Sequence, residues 1–319
     1  MDYPMNQIPT KEDIIKAHER IKGQIHKTPV LTSILLNEIF GAELFFKCEN
    51  FQKVGAFKFR GASNAILSLP DSEIEKGVCT HSSGNHAAAL ALAAKMKKVK
   101  AYIVMPRTAP QIKHNAVKGY GAEIIFCEPN LKAREEALEK VIEKTGAVFI
   151  HPYDNYMVIA GQATASKELI EEVNYLDYII APVGGGGLCS GTALSAKYFG
   201  EGISVIGAEP LNADDAFHSL KEGSIQPSIN PKTIADGLMT QLSEKTFFII
   251  KDNVEKIVTV KEETMIECMK MIWERMKIII EPSSAVVLAA IAENKEEFKR
   301  KKIGLIISGG NVDLNNLPW

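Results

Sequence analysis

Short apolar segments that alternate with helical segments constrain the fold more than any other feature of this sequence. Strands are predicted at 77–81, 101–105, 122–127, 147–151, 178–183, 203–208 and 302–308. Helices are predicted between them, at 87–96, 110–118, 131–144, 157–173, 188–198, 262–277 and 284–292. Because the predicted strands are apolar on both faces, they indicate parallel sheets covered by helices on both sides. The sequence therefore predicts an α/β fold.

The same alternation predicts how the chain divides into domains. Residues 77–151 are a compact run of strand–helix units, which predicts a small domain there. Residues 1–76 and 152–319 are expected to form the larger domain. Segment 222–245 is rich in glycine and proline and is predicted to be an excursion at the surface. Ligands of such folds bind at the carboxyl ends of the strands, so the turns that follow the strands carry the candidate site.

Composition and charge exclude several classes of protein. Of the 319 residues 24% are charged, and the net charge is −2, so no basic excess exists to neutralise a nucleic-acid backbone. No uncharged apolar stretch is long enough to cross a bilayer, and the N-terminal residues lack the pattern of a secretory signal. The five cysteines include no CxxC pair, which predicts reduced thiols rather than disulfides or a zinc site. We expect a cytoplasmic protein that binds neither nucleic acid nor membranes.

Four consecutive glycines, Gly184 to Gly187, follow a predicted strand and precede a predicted helix. Glycines allow the backbone to approach an anion closely, and the helix N-terminus adds partial positive charge. The pattern is neither GxGxxG nor a P-loop, and no acidic residue is placed to bind a ribose. It predicts a phosphate-binding turn without a cationic side chain. The alternative is a tight turn with a structural role only.

Two further polar turns follow predicted strands. The segment Ser82-Ser83-Gly84-Asn85-His86 offers hydroxyl, amide and backbone donors at a helix start, which suits a carboxylate or a phenolic oxygen. In the alternative interpretation, Ser83 or Asn85 only caps the helix. The turn that begins at Ser308 is also rich in glycine, which by itself indicates little.

Lys58 stands between Phe57 and Phe59, an unusual place for a solvated charge. Burial lowers the pKa of a lysine and frees a neutral amine for covalent chemistry with a carbonyl compound. From the spacing alone, an amphipathic lysine that extends to water is the favoured interpretation.

An acidic segment, Glu209 to Asp215, comes at the end of another predicted strand. Carboxylates with a backbone carbonyl between them suit a hard cation such as Mg²⁺ or Ca²⁺. The alternative is a polar turn in which Asp214 or Asp215 caps the next helix.

The segments that carry these motifs resemble one family over essentially the whole chain. They are HKTPVLTS (26–33), FKCENFQKVGAFKFRGA (46–62), THSSGNHAAAL (80–90), IAGQATASKEL (159–169), PVGGGGL (182–188), GAEPLNADDA (207–216), KTIADG (232–237), WERMKIIIEPSSA (273–285) and ISGGNVDL (307–314). In this order they are similar to the fold-type II enzymes that depend on pyridoxal phosphate (PLP), in the serine/threonine dehydratase group. The resemblance implies a fold like that of the tryptophan synthase β-subunit, with two open, twisted, mostly parallel sheets flanked by helices.

The resemblance implies a role for individual residues at the cofactor. Lys58 would hold PLP as a Schiff base and act as acid and base on one face, and Ser83 would act on the opposite face. Further cofactor contacts would come from Asn85 at the ring hydroxyl, from Gly184, Gly185, Gly186, Gly187 and Leu188 at the phosphate, and from Ser308 at the pyridine nitrogen.

The resemblance also implies substrate, metal and nucleotide contacts. The substrate would face Ser82, Ser83, His86 and Arg134. A Mg²⁺ or Ca²⁺ ion would be bound by Glu209, the Ala213 carbonyl and Asp215. Members of this kind are activated by ATP at the interface of a homodimer, and the matching positions are Ser33, Lys53, Tyr120, Lys277 and Asn311. The chain departs from the animal members at Ile34, Val54 and Ala88, where they carry polar side chains, and at Tyr153, where they carry an asparagine beside the cofactor.

The implied activity is interconversion of L- and D-serine, with β-elimination of serine to pyruvate and ammonia. The cofactor supplies an electron sink, and the protein decides which bond breaks. Racemisation needs a proton donor on each face of the substrate, which Lys58 and Ser83 would supply. A dedicated dehydratase of serine, threonine or threo-3-hydroxyaspartate stays an alternative. From another class, a dinucleotide dehydrogenase or a non-catalytic sensor built on the glycine turn also stays open.

Overall fold

The structure is a computed structural model that describes residues 7–109 and 111–319. Its strands are β1 (Val30–Leu31), β2 (Glu43–Cys48), β3 (Val78–His81), β4 (Ala101–Pro106), β5 (Glu123–Cys127), β6 (Val148–Phe149), β7 (Tyr178–Pro182), β8 (Ser204–Pro210), β9 (Lys256–Val260) and β10 (Lys302–Ile307).

The α-helices begin near the N-terminus and separate most of the strands. They are α1 (Lys11–Ile21), α2 (Ile34–Phe40), α3 (Lys58–Ser68), α4 (Asp71–Ile74), α5 (Asn85–Lys97), α6 (Gln111–Gly119), α7 (Leu131–Thr145), α8 (Tyr156–Glu172), α9 (Gly187–Phe199), α10 (Asp215–Glu222), α11 (Glu244–Asn253), α12 (Glu262–Met276), α13 (Pro282–Glu293) and α14 (Lys295–Phe298). Short 3-10 turns occupy Glu49–Phe51, Lys53–Gly55 and Asp236–Leu238.

The strands form two sheets. A six-stranded sheet has the order β1-β2-β10-β7-β8-β9, and a four-stranded sheet has the order β5-β4-β3-β6. Every pair of neighbours is parallel except β1 and β2. The predicted α/β fold with two mostly parallel sheets flanked by helices is confirmed. Because the strands of each sheet are parallel, their carboxyl ends lie along one edge.

Successive residues of the central strands pack on opposite faces of the six-stranded sheet. Ile180 and Ile206 belong to a buried cluster with α12 and α13. Their neighbours Ile179 and Val205 belong to a second cluster with α9 and α11. This explains the continuous apolar runs in the sequence, because a strand covered on both sides has no polar face.

Glycines allow α3, α8 and α9 to pack closely behind the six-stranded sheet. A Cβ atom at Gly161 of α8 would lie 2.6 Å from the Cα atom of Gly61 in α3. A Cβ atom at Gly191 of α9 would lie 2.7 Å from the backbone nitrogen of Ala163 in α8. Helix α3 begins at Lys58, so this packing sets where that residue lies.

Several predicted boundaries differ from the structure. The strand predicted at 147–151 covers only Val148–Phe149, and the helix predicted at 110–118 is Gln111–Gly119, with residue 110 outside the described residues. Strands β2 and β9 and helix α3 have no counterpart among the predicted elements. Strand β2 contains Lys47, whose charge is fully buried in an ion pair with Glu168 that local sequence does not reveal.

The division into two domains stays a prediction. All four strands of the smaller sheet lie between residues 78 and 149, inside the range predicted for the small domain. In the part of the chain that the structure describes, no helix is both long and apolar enough to span a bilayer.

Gly161→Ala is expected to lower the free energy of unfolding by about 1–3 kcal/mol, because the added methyl group forces α3 away from α8. Urea unfolding measures the change. The matched control is Gly23→Ala, where no atom lies within 4 Å of the new Cβ atom. Equal unfolding midpoints for the two variants would show that the contact between the helices tolerates a methyl group.

Candidate active site

A cavity of about 450 Å³ lies where turns after strands of both sheets come together. Every residue proposed for the cofactor or the substrate lines it, namely Lys58, Ser82, Ser83, Asn85, His86, Arg134, Gly184, Gly185, Gly186, Gly187, Leu188 and Ser308. The smaller sheet supplies the turn after β3, and the larger sheet supplies the turns after β7 and β10. The cavity therefore depends on both sheets.

Lys58 is the first residue of α3, and its amine faces the cavity rather than bulk water. Its Nζ atom donates a hydrogen bond to the Pro152 carbonyl at 3.0 Å and lies 5.1 Å from the centre of the Phe57 ring. Burial lowers the pKa of Lys58 to about 8, although the Glu281 carboxylate opposes the shift. A substantial fraction of this amine is therefore neutral in mildly alkaline solution, which is the form that attacks a carbonyl carbon.

The glycine turn forms the N-terminus of α9 with no side-chain cap. Gly186 has φ 85°, a left-handed conformation that glycine adopts without strain. A Cβ atom at Gly185 would lie 2.4 Å from the Tyr153 ring, so a side chain there would displace that ring. The N–H groups of the first turn thus face the cavity with the positive end of a 13-residue helix behind them. This arrangement suits a phosphate group.

The turn after β3 leads into α5, whose N-cap residue is Gly84 and whose first turn has no side-chain cap. The alternative in which Ser83 or Asn85 only caps this helix is therefore wrong. The Nε2 atom of His86 lies 3.2 Å from the Ile150 carbonyl, and burial holds the pKa of His86 well below its usual value. His86 is therefore a neutral residue at the wall of the cavity.

Asn85 is held by a carboxylate to which the sequence analysis gave no role. Its Nδ2 atom donates to both oxygens of Glu281, at 3.0 and 3.1 Å. Asn311 donates from its side chain to Asn85 Oδ1 at 2.9 Å and from its backbone to Glu281 at 3.2 Å. Burial raises the pKa of Glu281 to about 7. The only signal in the sequence was an acid just before Pro282, where the proline opens α13.

Ser308 is a buried neutral residue directly after β10. Its hydroxyl lies 3.0 Å from that of Ser284, which donates to the Gly309 carbonyl at 2.8 Å. The Ser308 carbonyl accepts from the Phe57 N–H at 2.9 Å, so this turn is joined to the segment that carries Lys58. A hydroxyl at this position can contact a ring nitrogen without protonating it.

The wall next to the smaller sheet includes residues that the sequence did not single out for this site. They are His81, Lys113, His151 and Asp236, and Tyr153, which the resemblance places beside the cofactor, lines the cavity with them. The rings of His151 and Tyr153 meet edge to face at 4.6 Å between centres, and burial lowers the pKa of His151 to about 4. Arg134 is a cation at the same wall, with its Nε atom buried and without a hydrogen-bond partner among the described residues.

Segment 222–245 is more than the surface excursion that its composition predicts. Its residues 236–240 line the cavity, and a Cβ atom at Gly184 would lie 2.9 Å from the Gly237 carbonyl oxygen. Asp236 also forms an ion pair with Lys113 of α6. The prediction failed because glycine and proline indicate a turn but not what the turn packs against.

The predicted metal ligands lie outside this cavity, at the end of β8 and the start of α10. Glu209 is buried and accepts a hydrogen bond from the Phe217 N–H at 2.7 Å, and burial together with the charge of Asp215 raises its pKa well above the usual value. Burial raises the pKa of Asp215 to about 6, and one of its oxygens has no partner among the described residues. Asp214 is the N-cap residue of α10, as one alternative predicted, but its side chain makes no capping hydrogen bond.

The metal donors present are two carboxylates and the buried Ala213 carbonyl. Among the described residues no group of three or more His, Cys, Asp or Glu side chains is arranged for a metal ion. A hard cation accepts carbonyl and water oxygens beside carboxylates, so this donor set still suits Mg²⁺ or Ca²⁺.

The five positions matched to ATP binding lie on separate elements of the chain. Ser33 caps α2, Lys277 ends α12 with φ 60°, and Asn311 lines the main cavity. Lys53 lies 5.8 Å from the centre of the Phe59 ring, and Tyr120 packs at the edge of the cluster beneath α5. The other four positions are not among the residues that line the main cavity.

A buried amine of lowered pKa, an anion-binding glycine turn and a neutral hydroxyl that line one cavity fit the aldehyde, phosphate and pyridine ring of PLP. Together with the fold, they define a PLP-dependent enzyme. The family model described as pyridoxal-phosphate dependent enzyme matches residues 21–309, and the chain belongs to this family. The alternative of a dinucleotide dehydrogenase is therefore wrong.

Individual relatives are similar over nearly the whole chain. The serine racemase of Dictyostelium discoideum is 55% identical over 314 residues, which cover 97% of this chain and 96% of the relative. The β-hydroxyaspartate dehydratase of Paracoccus denitrificans is 51% identical over 312 residues, which cover 98% and 99%. The crystal structure of the Dictyostelium enzyme superposes with a TM-score of 0.92 and covers 96% of this chain and 99% of that one.

Half-maximal reactivity of the Lys58 amine in the PLP-free protein is expected near pH 8, because burial favours its neutral form. Labelling with a trace of acetic anhydride at a series of pH values, followed by peptide mapping, measures it. In Glu281→Gln the midpoint should fall further, since the carboxylate that favours the ammonium form is gone. A midpoint near 10.4, the usual value of a lysine, would contradict the burial of this amine.

Proposed function

We propose that this enzyme interconverts L- and D-serine and also converts serine to pyruvate and ammonia by β-elimination. The observation that carries the proposal is that the Lys58 amine and the Ser83 hydroxyl line the same cavity from elements associated with different sheets. Two acid–base groups on opposite faces of one carbon can remove its proton from one face and return a proton to the other. The 55% identity with a serine racemase supports the choice of substrate.

The chain provides a contact for each part of the cofactor. The N–H groups of Gly184 to Leu188 would hold the phosphate, and Ser308 would face the pyridine nitrogen. The Asn85 amide would contact the ring hydroxyl, and its bonds to Glu281 fix the direction in which it points. When bound, PLP supplies an electron sink for the pair left at Cα when the proton departs.

Lys58 and Ser83 would move the protons. Lys58, with its pKa lowered to about 8, takes the α-proton of one enantiomer while the Pro152 carbonyl orients its amine. Ser83 would donate a proton to the opposite face of Cα. If the β-hydroxyl leaves before a proton returns to Cα, serine is converted to pyruvate and ammonia rather than to the other enantiomer.

The substrate carboxylate would bind at the N-terminus of α5. This helix end carries no side-chain cap, so its N–H groups are open to an anion. Ser82 and Ser83 add hydroxyls, and Arg134 adds a positive charge at the same wall. His86 is neutral, with its Nε2 atom directed at the Ile150 carbonyl, so it shapes this end of the cavity rather than supplying charge.

Dehydration of threo-3-hydroxyaspartate is a second candidate activity. Arg134 has a buried Nε atom without a partner among the described residues, which leaves it available to a second carboxylate on the substrate. The 51% identity with a β-hydroxyaspartate dehydratase supports this candidate. Dehydratase action on serine or threonine alone is the third.

Ser83→Ala is expected to slow racemisation about 100-fold or more, because one face of Cα loses its proton donor. Elimination from the enantiomer whose proton faces Lys58 should persist. Chiral chromatography of serine incubated in D₂O, together with keto-acid release from each enantiomer, separates the two activities. The wild-type enzyme should form D-serine deuterated at Cα.

Three controls define the interpretation. Ser82→Ala should affect both activities together, through substrate binding, and Lys58→Ala should abolish both. Threo-3-hydroxyaspartate is assayed in parallel with serine. Keto acid without any inversion of serine in the wild-type protein would favour the dehydratase candidates over the racemase.

We also propose that Glu209, the Ala213 carbonyl and Asp215 bind Mg²⁺ or Ca²⁺. The two carboxylates are buried next to each other, and no cationic side chain forms an ion pair with them among the described residues. A divalent cation would remove the repulsion between them.

Addition of Mg²⁺ or Ca²⁺ after EDTA treatment is therefore expected to raise the thermal unfolding midpoint. At about 100 times Kd, a cation that binds only the folded state stabilises it by about 2.7 kcal/mol. Asp215→Asn should abolish the shift, whereas Asp252→Asn, which removes an exposed acid on α11, should preserve it. The same shift in both variants would place the cation elsewhere.

A homodimer, activation by ATP and a cytoplasmic location complete the proposal. Helix α2 follows Ser33 and exposes Ile34, Leu35 and Ile39, an apolar face that supports contact with a second copy. ATP would bind between the copies through Ser33, Lys53, Tyr120, Lys277 and Asn311. All five cysteines are free and buried, which supports a reducing compartment.

A further inference from the structure

Arg60 lies two residues after Lys58 on α3, and its guanidinium is fully buried. It forms a two-pronged contact with Glu49, from Nε to Oε2 at 2.7 Å and from Nη2 to Oε1 at 2.8 Å. Glu49 is equally buried and directly follows β2. The pair therefore joins the end of a strand in the larger sheet to the first turn of the helix that begins with Lys58.

The other edge of the guanidinium is bound to α8. Nη1 and Nη2 donate to the two oxygens of Glu168, each at 2.8 Å, and Nη1 also donates to Thr164 at 3.1 Å. Lys47 of β2 donates to Glu168 at 2.7 Å. Two cations and two carboxylates thus balance in charge within an interior from which water is excluded.

The contact between Arg60 and Glu49 closes a loop in the chain that contains Lys58. Within the loop, Val54 and Gly55 have φ of 59° and 69°, so the chain reverses direction in a conformation that a residue such as valine rarely adopts. The loop is also fixed at the Phe57 N–H, which donates to the Ser308 carbonyl at 2.9 Å. Two contacts therefore fix the backbone around Lys58: the ion pair that closes the loop and the hydrogen bond to Ser308 beside the cavity.

A purely structural role explains this arrangement poorly. Removing two charges from water costs nearly as much as their attraction returns, so a buried ion pair contributes little net stability compared with apolar residues of the same size. The forked guanidinium instead fixes the relative orientation of its partners, because its planar donors match two carboxylates in only one geometry. A displacement of about 1 Å at a catalytic group can cost about 100-fold in rate.

We propose that Arg60 is a positioning residue for the reaction, which holds the Lys58 amine in place by closing the loop at Glu49. The proposal rests on the function proposed for Lys58. It assigns to Arg60 no contact with substrate or cofactor. Its effect passes through the backbone of the loop and the first turn of α3.

The test compares Arg60→Lys, which keeps the charge and loses the fork, with Lys47→Met. Lys47 is the matched control because it is also a buried cation bound to Glu168, but it lies outside the loop. In Arg60→Lys, kcat should fall about 10- to 100-fold with KM changed less than about threefold. In the PLP-free protein, the pH midpoint of Lys58 labelling by acetic anhydride should also shift. Lys47→Met should lower the thermal unfolding midpoint while kcat and the Lys58 midpoint stay at wild-type values.

Two results would overturn the proposal. The first is an Arg60→Lys variant in which neither kcat nor the pH midpoint of Lys58 labelling changes. The second is a loss of kcat that is equally large in Arg60→Lys and in Lys47→Met. If Arg60→Lys does not fold, Glu49→Gln weakens the same loop contact from its other end, and the same criteria apply to it.

Borohydride reduction of the wild-type holoenzyme, followed by peptide mapping, separates this proposal from the proposed function. A cofactor label on a residue other than Lys58 would remove the proposed function, and the positioning role with it. A label on Lys58 with unaffected Arg60 and Glu49 variants would remove the positioning role alone.

Discussion

Burial of one lysine amine between two sheets is the interaction on which the rest of this site depends. The larger sheet and helix α3 provide Lys58, while the turn after β6 provides the Pro152 carbonyl to which its amine donates. An ammonium group in this position has lost much of its hydration, so its neutral form becomes accessible near pH 8. The Glu281 carboxylate, which also lines the cavity and accepts hydrogen bonds from Asn85, limits how far the pKa of Lys58 falls. The chemistry proposed here requires that balance, since a nucleophilic amine must also return a proton.

The buried charges of the molecule fall into two contrasting groups. Behind the cavity, Lys47 and Arg60 are matched by Glu49 and Glu168, and every member has an opposite charge within hydrogen-bond distance. At the end of β8, in contrast, the charge of Asp215 adds to the cost of ionising the buried Glu209 carboxyl. In the first group, the chain itself supplies an opposite charge for every member, and we propose that its role is to fix the position of neighbouring residues. The second is incomplete, and a divalent cation is the partner that its oxygens suit.

Local patterns predicted the parts of the site that a few adjacent residues create. The glycine turn and the polar turn after β3 were each predicted because a backbone conformation or a helix end depends on residues next to one another. The role of Lys58 was implied by the resemblance, since the spacing alone favours a lysine that extends to water. Glu281 was not visible, because an acid before a proline is common and its importance comes from the asparagine that it contacts from another part of the chain. The contribution of residues 236–240 to the cavity could not be predicted from local sequence either. Their composition indicates a turn, and only packing against Gly184 makes that turn a wall of the cavity.

Periodicity and glycine content act over a few residues, so they were enough to predict the fold class, the order of most strands and helices, and the polar and glycine-rich turns that carry the candidate site. The tertiary structure decided which of these turns share a cavity, how strongly the Lys58 amine is desolvated, and that Arg60 connects its loop to two buried carboxylates. Desolvation and ion pairing depend on atoms that are distant in sequence and adjacent in space. The local sequence pattern does not show which distant residues become neighbours, so these properties can be seen only in the packed structure.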